Sequence, residues 1–384
     1  MNQPTIILFS IAVTGLLLNA CQFSTEPYRG GERVAAVPSN QEVKEFMANT
    51  PIQVDPQMAT VLAALHSLKP KPIQSLSAEE ARNQPTIADA VLDVLDGQGQ
   101  STAPQPVGKI QNRSIPGPGG PIPIRVYTPH GIGPFPIVVY YHGGGWVIAT
   151  IDTYDASARA LCNAANAIVV SVEYRKAPEH RFPAAHEDAY AAYDWMRKHG
   201  QDINGDPSMV AVAGESTGGN LAGAVSMIAR QRNQALPVHQ ILIYPVTGSD
   251  MDTPSYRKHE QAQPLNKAMM SWFFEKYLYS PADANNPVVA LIKAQDLRGL
   301  PPATIITAGI DPLESDGKDY AARLREAGVP VIYQQFYDVT HEFFGTGAVV
   351  EDAKYAAQLV GRELKHAFLM KHHPLQSSAL QETP

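Results

Sequence analysis

Ser216 lies in the stretch GESTGG, residues 214–219, where the pattern G-x-S-x-G follows an apolar run and precedes a helical pattern. Flanking glycines allow a tight turn from strand to helix that exposes the serine hydroxyl. A serine hydroxyl is a weak nucleophile at neutral pH, so it needs a neutral imidazole to take its proton and a carboxylate to orient that imidazole. The pattern therefore predicts nucleophilic attack by Ser216, with a histidine and an acid elsewhere in the chain.

The histidine is predicted from chain order. Where a serine sits on such a turn, the acid and then the histidine follow it along the chain. Among the histidines after Ser216, only His341 follows the carboxyl end of a predicted strand. The others precede a strand or lie in a polar insertion, a C-terminal helix or the tail: His239, His259, His366, His372 and His373. His341 is thus the predicted base.

The acid is predicted in the segment TIITAGIDPLESD, residues 304–316. Asp311 is the first carboxylate after the strand, and Pro312 restricts it to an extended backbone. Asp316 stays open as an alternative, because the acid of such a triad is defined by geometry rather than by sequence position.

Backbone amides are predicted to stabilise the oxyanion that forms when Ser216 attacks a carbonyl group. The stretch HGGG, residues 142–145, follows an apolar run and offers amides that no side chain covers. Gly143, Gly144 and Gly145 are the candidates in this loop, and the amide of Thr217, directly after the nucleophile, is the candidate on the other side.

The elements that must position these groups alternate along the chain. Helical patterns at 157–165, 183–199, 219–230 and 317–327 separate apolar, β-branched runs at 137–141, 168–174, 209–214, 241–246, 304–309 and 331–337. Two further strands are predicted around 109–114 and 122–127. This alternation predicts an α/β fold with a mostly parallel sheet, covered by helices on both faces, whose ligand sites lie beyond the carboxyl ends of the strands.

The first residues indicate export. Residues 6–18 form an apolar run of signal-peptide length, and the following LLLNAC resembles a lipobox in which Cys21 becomes lipidated. We therefore expect a lipoprotein-type signal segment at 1–20, a flexible tether at 21–40, and a periplasmic or outer-membrane-associated protein. Simple secretion and an uncleaved start are the alternatives. The other cysteine, Cys162, is expected to be a small buried residue.

Composition excludes several other classes. The chain has 384 residues, 44% of them hydrophobic, and a net charge of −7 without a basic cluster, so nucleic acid is not expected as a partner. No metal or cofactor is expected. The predicted partner is a small-molecule ester, and a homodimer is kept open.

Several motifs in one order resemble the bacterial hormone-sensitive-lipase-like esterases, family IV of the α/β-hydrolases. They are HGGGW, EYRKAPEHRFPAA (173–185), GESTGGNLA (214–222), LIYP (242–245), LPPATIITAGIDPLESDG (300–317) and HEF (341–343). The resemblance implies a triad of Ser216, Asp311 and His341 and an oxyanion hole from the amides of Gly144, Gly145 and Thr217, with Gly143 in the same loop. Glu215, Thr217 and Lys176 depart from the usual residues of that family.

The resemblance also implies a helical cap over the site. It divides the chain into N-terminal cap helices at 41–100, a catalytic α/β-hydrolase domain at 101–370 with a cap insertion at 247–300, and a tail at 371–384. Residues 77 and 80 suit a capping box in the first part. The expected activity is hydrolysis of short- to medium-chain carboxylic esters through an acyl-serine intermediate. An amidase or deacetylase of acetylated small molecules and a non-catalytic binding protein are the alternatives.

Overall fold

A computed structural model describes residues 53–372 of the chain. The signal segment at 1–20, Cys21, the tether at 21–40 and the first part of the predicted N-terminal cap, 41–52, lie outside the described residues. So do residues 373–384 of the tail.

One eight-stranded sheet organises the described residues, in the order β1-β2-β4-β3-β5-β6-β7-β8. Strands β1 and β2 form an antiparallel hairpin and β2 pairs antiparallel with β4, whereas β3 to β8 pair in parallel. The predicted α/β fold with a mostly parallel sheet is therefore confirmed. The strands are β1 Lys109–Gly117, β2 Gly120–Thr128, β3 Phe135–Tyr141, β4 Ile168–Val172, β5 Gly205–Glu215, β6 Gln240–Ile243, β7 Ala303–Ile310 and β8 Val331–Thr340.

Helices cover both faces of the sheet. Alternate residues of β3 illustrate the division: Ile137, Val139 and Tyr141 join one core cluster, and Val138 and Tyr140 join the other. The helices are α1 Pro56–Ser67, α2 Ala78–Arg82, α3 Ile87–Gly97, α4 Asp155–Ala165, α5 Ala184–His199, α6 Thr217–Gln231, α7 Pro254–Lys258, α8 Lys267–Tyr277, α9 Glu314–Glu326 and α10 Glu351–His372. Helices α5, α6 and α9 pack on the first face, and α1, α3, α4 and α10 on the second.

The strands differ from their predicted extents at one or both ends. Strand β4 ends at Val172 and β6 at Ile243, earlier than predicted, and β8 continues to Thr340. Strand β6 ends early because the amide of Val246 donates to the carbonyl of Ser216 rather than to a neighbouring strand. Within residues 53–372, strand β8 pairs only with β7, and four of its ten residues are exposed, as an edge strand permits.

The N-terminal helices begin with well-formed caps. The carboxylate of Asp55 accepts the amides of Gln57 and Met58 at 2.9 Å and begins α1. The predicted capping box at α2 is confirmed, with reciprocal hydrogen bonds between Ser77 and Glu80. Each cap satisfies amides that the first helical turn leaves without a partner.

Cys162 is fully buried in α4, as expected, and burial raises the pKa of its thiol to about 12. Among residues 53–372, no helix combines the length and apolar character needed to cross a bilayer.

Candidate active site

Ser216 occupies a sharp turn between β5 and α6. Its backbone has φ 57° and ψ −119°, an unfavourable conformation for a residue with a side chain. The turn is tight enough that a Cβ on Gly214 would lie 2.1 Å from the carbonyl oxygen of Gly218, and one on Gly218 would lie 2.0 Å from that of Tyr141. The two glycines of the G-x-S-x-G pattern are therefore required by close backbone contacts.

The structure brings Ser216, His341 and Asp311 together. Nε2 of His341 lies 3.0 Å from Oγ of Ser216, and Nδ1 lies 2.6 Å from Oδ2 of Asp311. The other carboxylate oxygen of Asp311 accepts the amide of Leu313 at 2.9 Å. With Nδ1–H donated to the carboxylate, Nε2 is left to accept the serine proton.

Asp316, the alternative acid, has a different role in the structure. One of its carboxylate oxygens accepts the amides of Thr247 at 2.9 Å and Gly248 at 2.7 Å, at the start of the 247–300 insertion. Burial raises its pKa to about 7 even though these two hydrogen bonds lower it. Asp316 therefore fixes the insertion, and Asp311 is the carboxylate that contacts His341.

The charges around His341 favour its protonated form. Burial by itself disfavours the imidazolium, but Asp311, together with Glu342 and Glu215, outweighs burial and raises the pKa of His341 above its ordinary 6.5. An imidazole beside these carboxyl groups accepts a proton from Ser216 more readily than an imidazole in an apolar pocket does.

Two carboxyl groups near the histidine, buried Glu215 and partly buried Glu342, were not predicted from the sequence to affect the site. Glu215 is 1% exposed and accepts hydrogen bonds from the hydroxyls of Tyr140 and Tyr244. Glu342 accepts the hydroxyl of Tyr154 at 3.2 Å. Burial raises the pKa of both carboxyl groups; the charge of Glu342 raises that of Glu215 further, and the charge of Asp311 raises that of Glu342. The available signal was position: Glu215 and Glu342 directly adjoin two of the three triad candidates.

His259 also lies near the site, although its sequence context indicated a polar insertion. It is 3% exposed, and the charge of Asp311 affects its ionisation. Burial lowers its pKa. No pattern in the sequence brings α7 to the end of β7, so this contact was not predictable.

The glycine loop lies opposite the histidine. Gly144 and Gly145 have φ 96° and 62°, and a Cβ on Gly145 would lie 2.0 Å from the ring of Phe273 in α8. Among the described residues, the amides of Gly144 and Gly145 have no hydrogen-bond acceptor in the protein. The amide of Thr217 is the first of α6 and has no acceptor within the helix.

The loop is held from behind by His142 and Tyr174. Nδ1 of His142 bonds the carbonyl of Gly143 at 2.8 Å, and the hydroxyl of Tyr174 donates to the carbonyl of His142 at 2.8 Å. Their rings stack at 4.4 Å between centroids. Burial lowers the pKa of His142 to about 4, so this ring is neutral and structural at neutral pH.

A cavity of about 730 Å³ opens above Ser216. Gly144, Gly145, Ser216, His341 and Glu342 form its base. Its other walls come from residues 65–87 of the N-terminal segment and from residues 263–273 of the insertion, including Met269, Met270 and Phe273. Both segments assigned to the cap thus line the cavity.

Two of the residues that depart from the family pattern have defined positions. Lys176 lines the cavity, and its ammonium group donates to Glu173 and, at 2.6 Å, to the carbonyl of Ala149. Its charge is therefore paired. Thr217 is fully buried and is not among the residues that line the cavity, so its side chain does not narrow the space above Ser216.

Comparison with known proteins agrees with this architecture. A family model described as the alpha/beta hydrolase fold matches residues 138–345. The carboxylic ester hydrolase LipN of Mycobacterium tuberculosis is 43% identical over 240 residues, which cover 61% of this chain and 64% of that protein, just under two thirds of its length. The ethyl acetate hydrolase of Pseudomonas putida is 30% identical over 322 residues, 82% of this chain and 99% of that protein.

Solved structures are similar over the same region. An ester hydrolase from the Lake Arreo metagenome, complexed with a bipyridine phosphonate derivative, has a TM-score of 0.75 and 32% identity, covering 82% of this chain and 99% of that one. A hyperthermophilic esterase from Pyrobaculum calidifontis has a TM-score of 0.75 and 34% identity, with the same coverage. This chain therefore belongs to the alpha/beta hydrolase family, in the hormone-sensitive-lipase-like branch that its motifs resemble.

Proposed function

We propose that this protein is a carboxylesterase that cleaves small carboxylic esters through an acyl-serine intermediate. The observation that carries the proposal is the continuous hydrogen-bonded row Ser216–His341–Asp311 at the base of a cavity. The names of the relatives, which include an ethyl acetate hydrolase and several esterases, support ester bonds as the substrate class.

Each group has a role in this mechanism. His341 removes the proton of Ser216 as Oγ attacks the ester carbonyl carbon, and Asp311 holds the imidazole in the required tautomer. The amides of Gly144, Gly145 and Thr217 bind the oxyanion of the tetrahedral intermediate. The protonated His341 then gives its proton to the leaving alcohol. In the second half of the reaction, His341 takes a proton from a water molecule that attacks the acyl carbonyl carbon, and it returns this proton to Oγ of Ser216 as the carboxylic acid leaves.

The test is turnover of p-nitrophenyl butyrate by Ser216→Ala. We expect loss of turnover without loss of folding, because the substitution removes one oxygen from an otherwise unchanged turn. Ser226→Ala is a matched control: Ser226 is a buried serine of α6 whose hydroxyl donates to the carbonyl of Ala222 within the helix. Retained turnover in Ser216→Ala would contradict the proposal. Incubation of the unaltered protein with a fluorophosphonate, followed by mass spectrometry, would show one adduct on Ser216.

We also propose that the substrate has a short to medium acyl chain and that the bond cleaved is an ester rather than an amide. The cavity volume of about 730 Å³ suits a short- to medium-chain ester. Parallel assays with phenyl acetate and acetanilide separate an esterase from an amidase, and we expect turnover of the ester.

Export and lipidation of Cys21 remain a separate proposal that rests on the sequence of residues 6–21. In a bacterial host, globomycin should cause the unprocessed precursor to accumulate if Cys21 is a lipidation site. Normal processing in the presence of globomycin would favour simple secretion.

A further inference from the structure

A second cavity lies beside the one above Ser216. Its volume is about 700 Å³, close to that of the first. Helix α3 with residues 102–105 forms one wall, helix α4 forms another, and residues 342–358 form the third. The proposed ester mechanism uses none of these walls apart from Glu342.

The walls of this second cavity are mainly small and apolar. Alanine and glycine leave space at many points around it, including Ala88, Ala103, Ala160, Gly345, Ala353 and Ala357. Longer apolar side chains, Val91, Leu92 and Leu95, come from α3. Such a lining favours hydrocarbon, because each methylene group that leaves water for an apolar wall is stabilised.

The two cavities share part of their lining. Thr86, Ile87, Thr153 and Glu342 line both. Glu342 therefore lies at the boundary between the two cavities. The hydroxyl of Tyr154, 3.2 Å away, is the hydrogen-bond partner of this carboxyl group, and a bond of that length is easily given up.

The second cavity offers little to a charged ligand. Glu215 is part of its lining, and the hydroxyls of Tyr140 and Tyr244 already donate hydrogen bonds to its carboxyl group. Burial raises the pKa of Glu215 and of Glu342, so each carboxyl group is protonated more readily than an exposed one when hydrocarbon lies against it. The other charged side chains of the lining are also paired: Asp155 with Arg159, Asp152 with Arg125, and Lys354 with Glu351.

We propose that the second cavity binds the aliphatic chain of an ester whose carbonyl group lies at Ser216, with the chain passing beside Glu342. This inference rests on the proposed function, since it assigns a longer substrate to the same site. An aliphatic chain on either side of the ester bond has the required chemistry. Acyl chains and alcohol chains are therefore compared in separate arms of the test.

The first variant fills the second cavity. Ala160 is half-buried in α4 and lines this cavity but not the one above Ser216, so Ala160→Phe places a ring in the path of the chain. Ala322→Phe, at an exposed position of α9, adds the same ring far from both cavities and is the matched control. One assay arm compares p-nitrophenyl decanoate with p-nitrophenyl butyrate, and the other compares decyl acetate with butyl acetate. Thermal unfolding shows whether each variant is folded.

In one of the two arms, we expect Ala160→Phe to lower the ratio of long-chain to short-chain kcat/KM at least tenfold. Burial of each methylene contributes about fourfold, so the loss of two or more buried methylenes accounts for this change. The control should leave both ratios unaltered. If Ala160→Phe is folded and changes neither ratio, the second cavity does not bind the chain and the proposal is overturned.

A second variant tests the boundary at Glu342 in the opposite direction. Glu342 has φ 63°, so Glu342→Gly removes the side chain at a position whose backbone suits glycine. We expect it to raise the long-chain ratio in the same arm, whereas Glu342→Gln, which keeps the shape of the side chain, should leave the ratio near that of the unaltered protein. Equal ratios in all three proteins would contradict a passage at Glu342.

The two proposals fail in different ways. No turnover of butyrate by the unaltered protein would remove the esterase function itself. Normal turnover of butyrate with unchanged long-chain ratios in every variant would remove only the second cavity as a chain-binding site.

Discussion

The ring of Tyr244 lies 4.6 Å from the imidazole of His341 between centroids, and its hydroxyl donates to the buried carboxyl group of Glu215. Tyr244 thus separates the histidine from a carboxyl group by one aromatic ring. When Ser216 gives up its proton, the resulting imidazolium forms near Glu215 and Glu342 as well as beside Asp311, and their charges contribute to the raised pKa of His341.

Glu215→Gln should therefore move the acid limb of the pH profile. His341 acts as a base only when neutral, so kcat/KM falls as the pH falls through the pKa of His341. That pKa is raised above 6.5, and loss of a nearby carboxylate lowers it, so the variant should stay active to a lower pH than the unaltered protein. The measurement is kcat/KM for p-nitrophenyl butyrate from pH 5 to 9.

The matched control for this shift is Glu187→Gln. Glu187 is a carboxylate on α5 whose side chain is 48% exposed and pairs with Arg175, away from His341. An acid limb that moves equally in both variants, or in neither, would contradict a contribution of Glu215 to the charge state of His341.

Substitution of Asp311 should reduce activity far more than substitution of Asp316, the other acid considered from the sequence. Asp311→Asn leaves the imidazole without the carboxylate that fixes its tautomer, and we expect kcat to fall on the order of 10⁴-fold, as in other serine enzymes. Asp316→Asn keeps an oxygen for the amides of Thr247 and Gly248 and should retain most of its activity. If steady-state kinetics showed a larger loss of kcat for Asp316→Asn than for Asp311→Asn, Asp316 would be the acid that acts with His341.

Gly145→Ala should damage both stability and turnover. Its φ of 62° is unfavourable for alanine, and the added Cβ would lie 2.0 Å from the ring of Phe273, so the loop must shift. Strain of this kind costs about 1–3 kcal/mol. We expect a lower Tm and a reduced kcat, because the displaced amide no longer meets the oxyanion.

Adding Phe273→Ala to Gly145→Ala distinguishes the clash with Phe273 from the strain of the backbone. It relieves the clash but leaves the backbone strain, so the double variant should recover part of the lost kcat. A double variant no better than Gly145→Ala would show that the conformation of the backbone, rather than contact with the insertion, limits the loop.

Stability should decline as the pH rises through the titration of Asp316. Its pKa is raised from 3.8 to about 7 in the folded protein, so the folded state binds the proton more tightly than the unfolded state does. This contribution is present in full below pH 3.8 and is lost between there and about pH 7. Because Asn cannot ionise, Asp316→Asn should show a smaller decline in the free energy of unfolding from pH 5 to 7.5, measured in urea. An equal decline in both proteins would contradict the assignment.

The sequence predicted a mostly parallel sheet whose strands alternate with helices, and it predicted that Ser216, Asp311 and His341 lie together. Those predictions relied on local patterns: apolar β-branched runs, G-x-S-x-G at a strand end, and a histidine after the last strand. Strand ends were less predictable. Whether β6 stops at Ile243 depends on the hydrogen bond between Val246 and Ser216, a contact that the local pattern does not encode.

Contacts between distant segments were not predictable from the sequence. His259 lies near enough to Asp311 for its charge to act on the imidazole because α7 folds back over the end of β7, and Asp316 holds the insertion. The surroundings of Glu215 likewise combine Tyr140 from β3 with Tyr244 beyond β6. Each of these depends on how the elements pack, and a single sequence shows only their types and spacing.

The burial of Cys162 provides a direct readout for the other cysteine of the chain. A thiol enclosed in α4 with a pKa of about 12 resists alkylation and disulfide exchange while the protein is folded. Native titration with a chromogenic disulfide reagent therefore reports Cys21 alone: about one equivalent of colour for a free thiol and none for an acylated one. Denaturation then adds the equivalent from Cys162 and calibrates the measurement within the same sample.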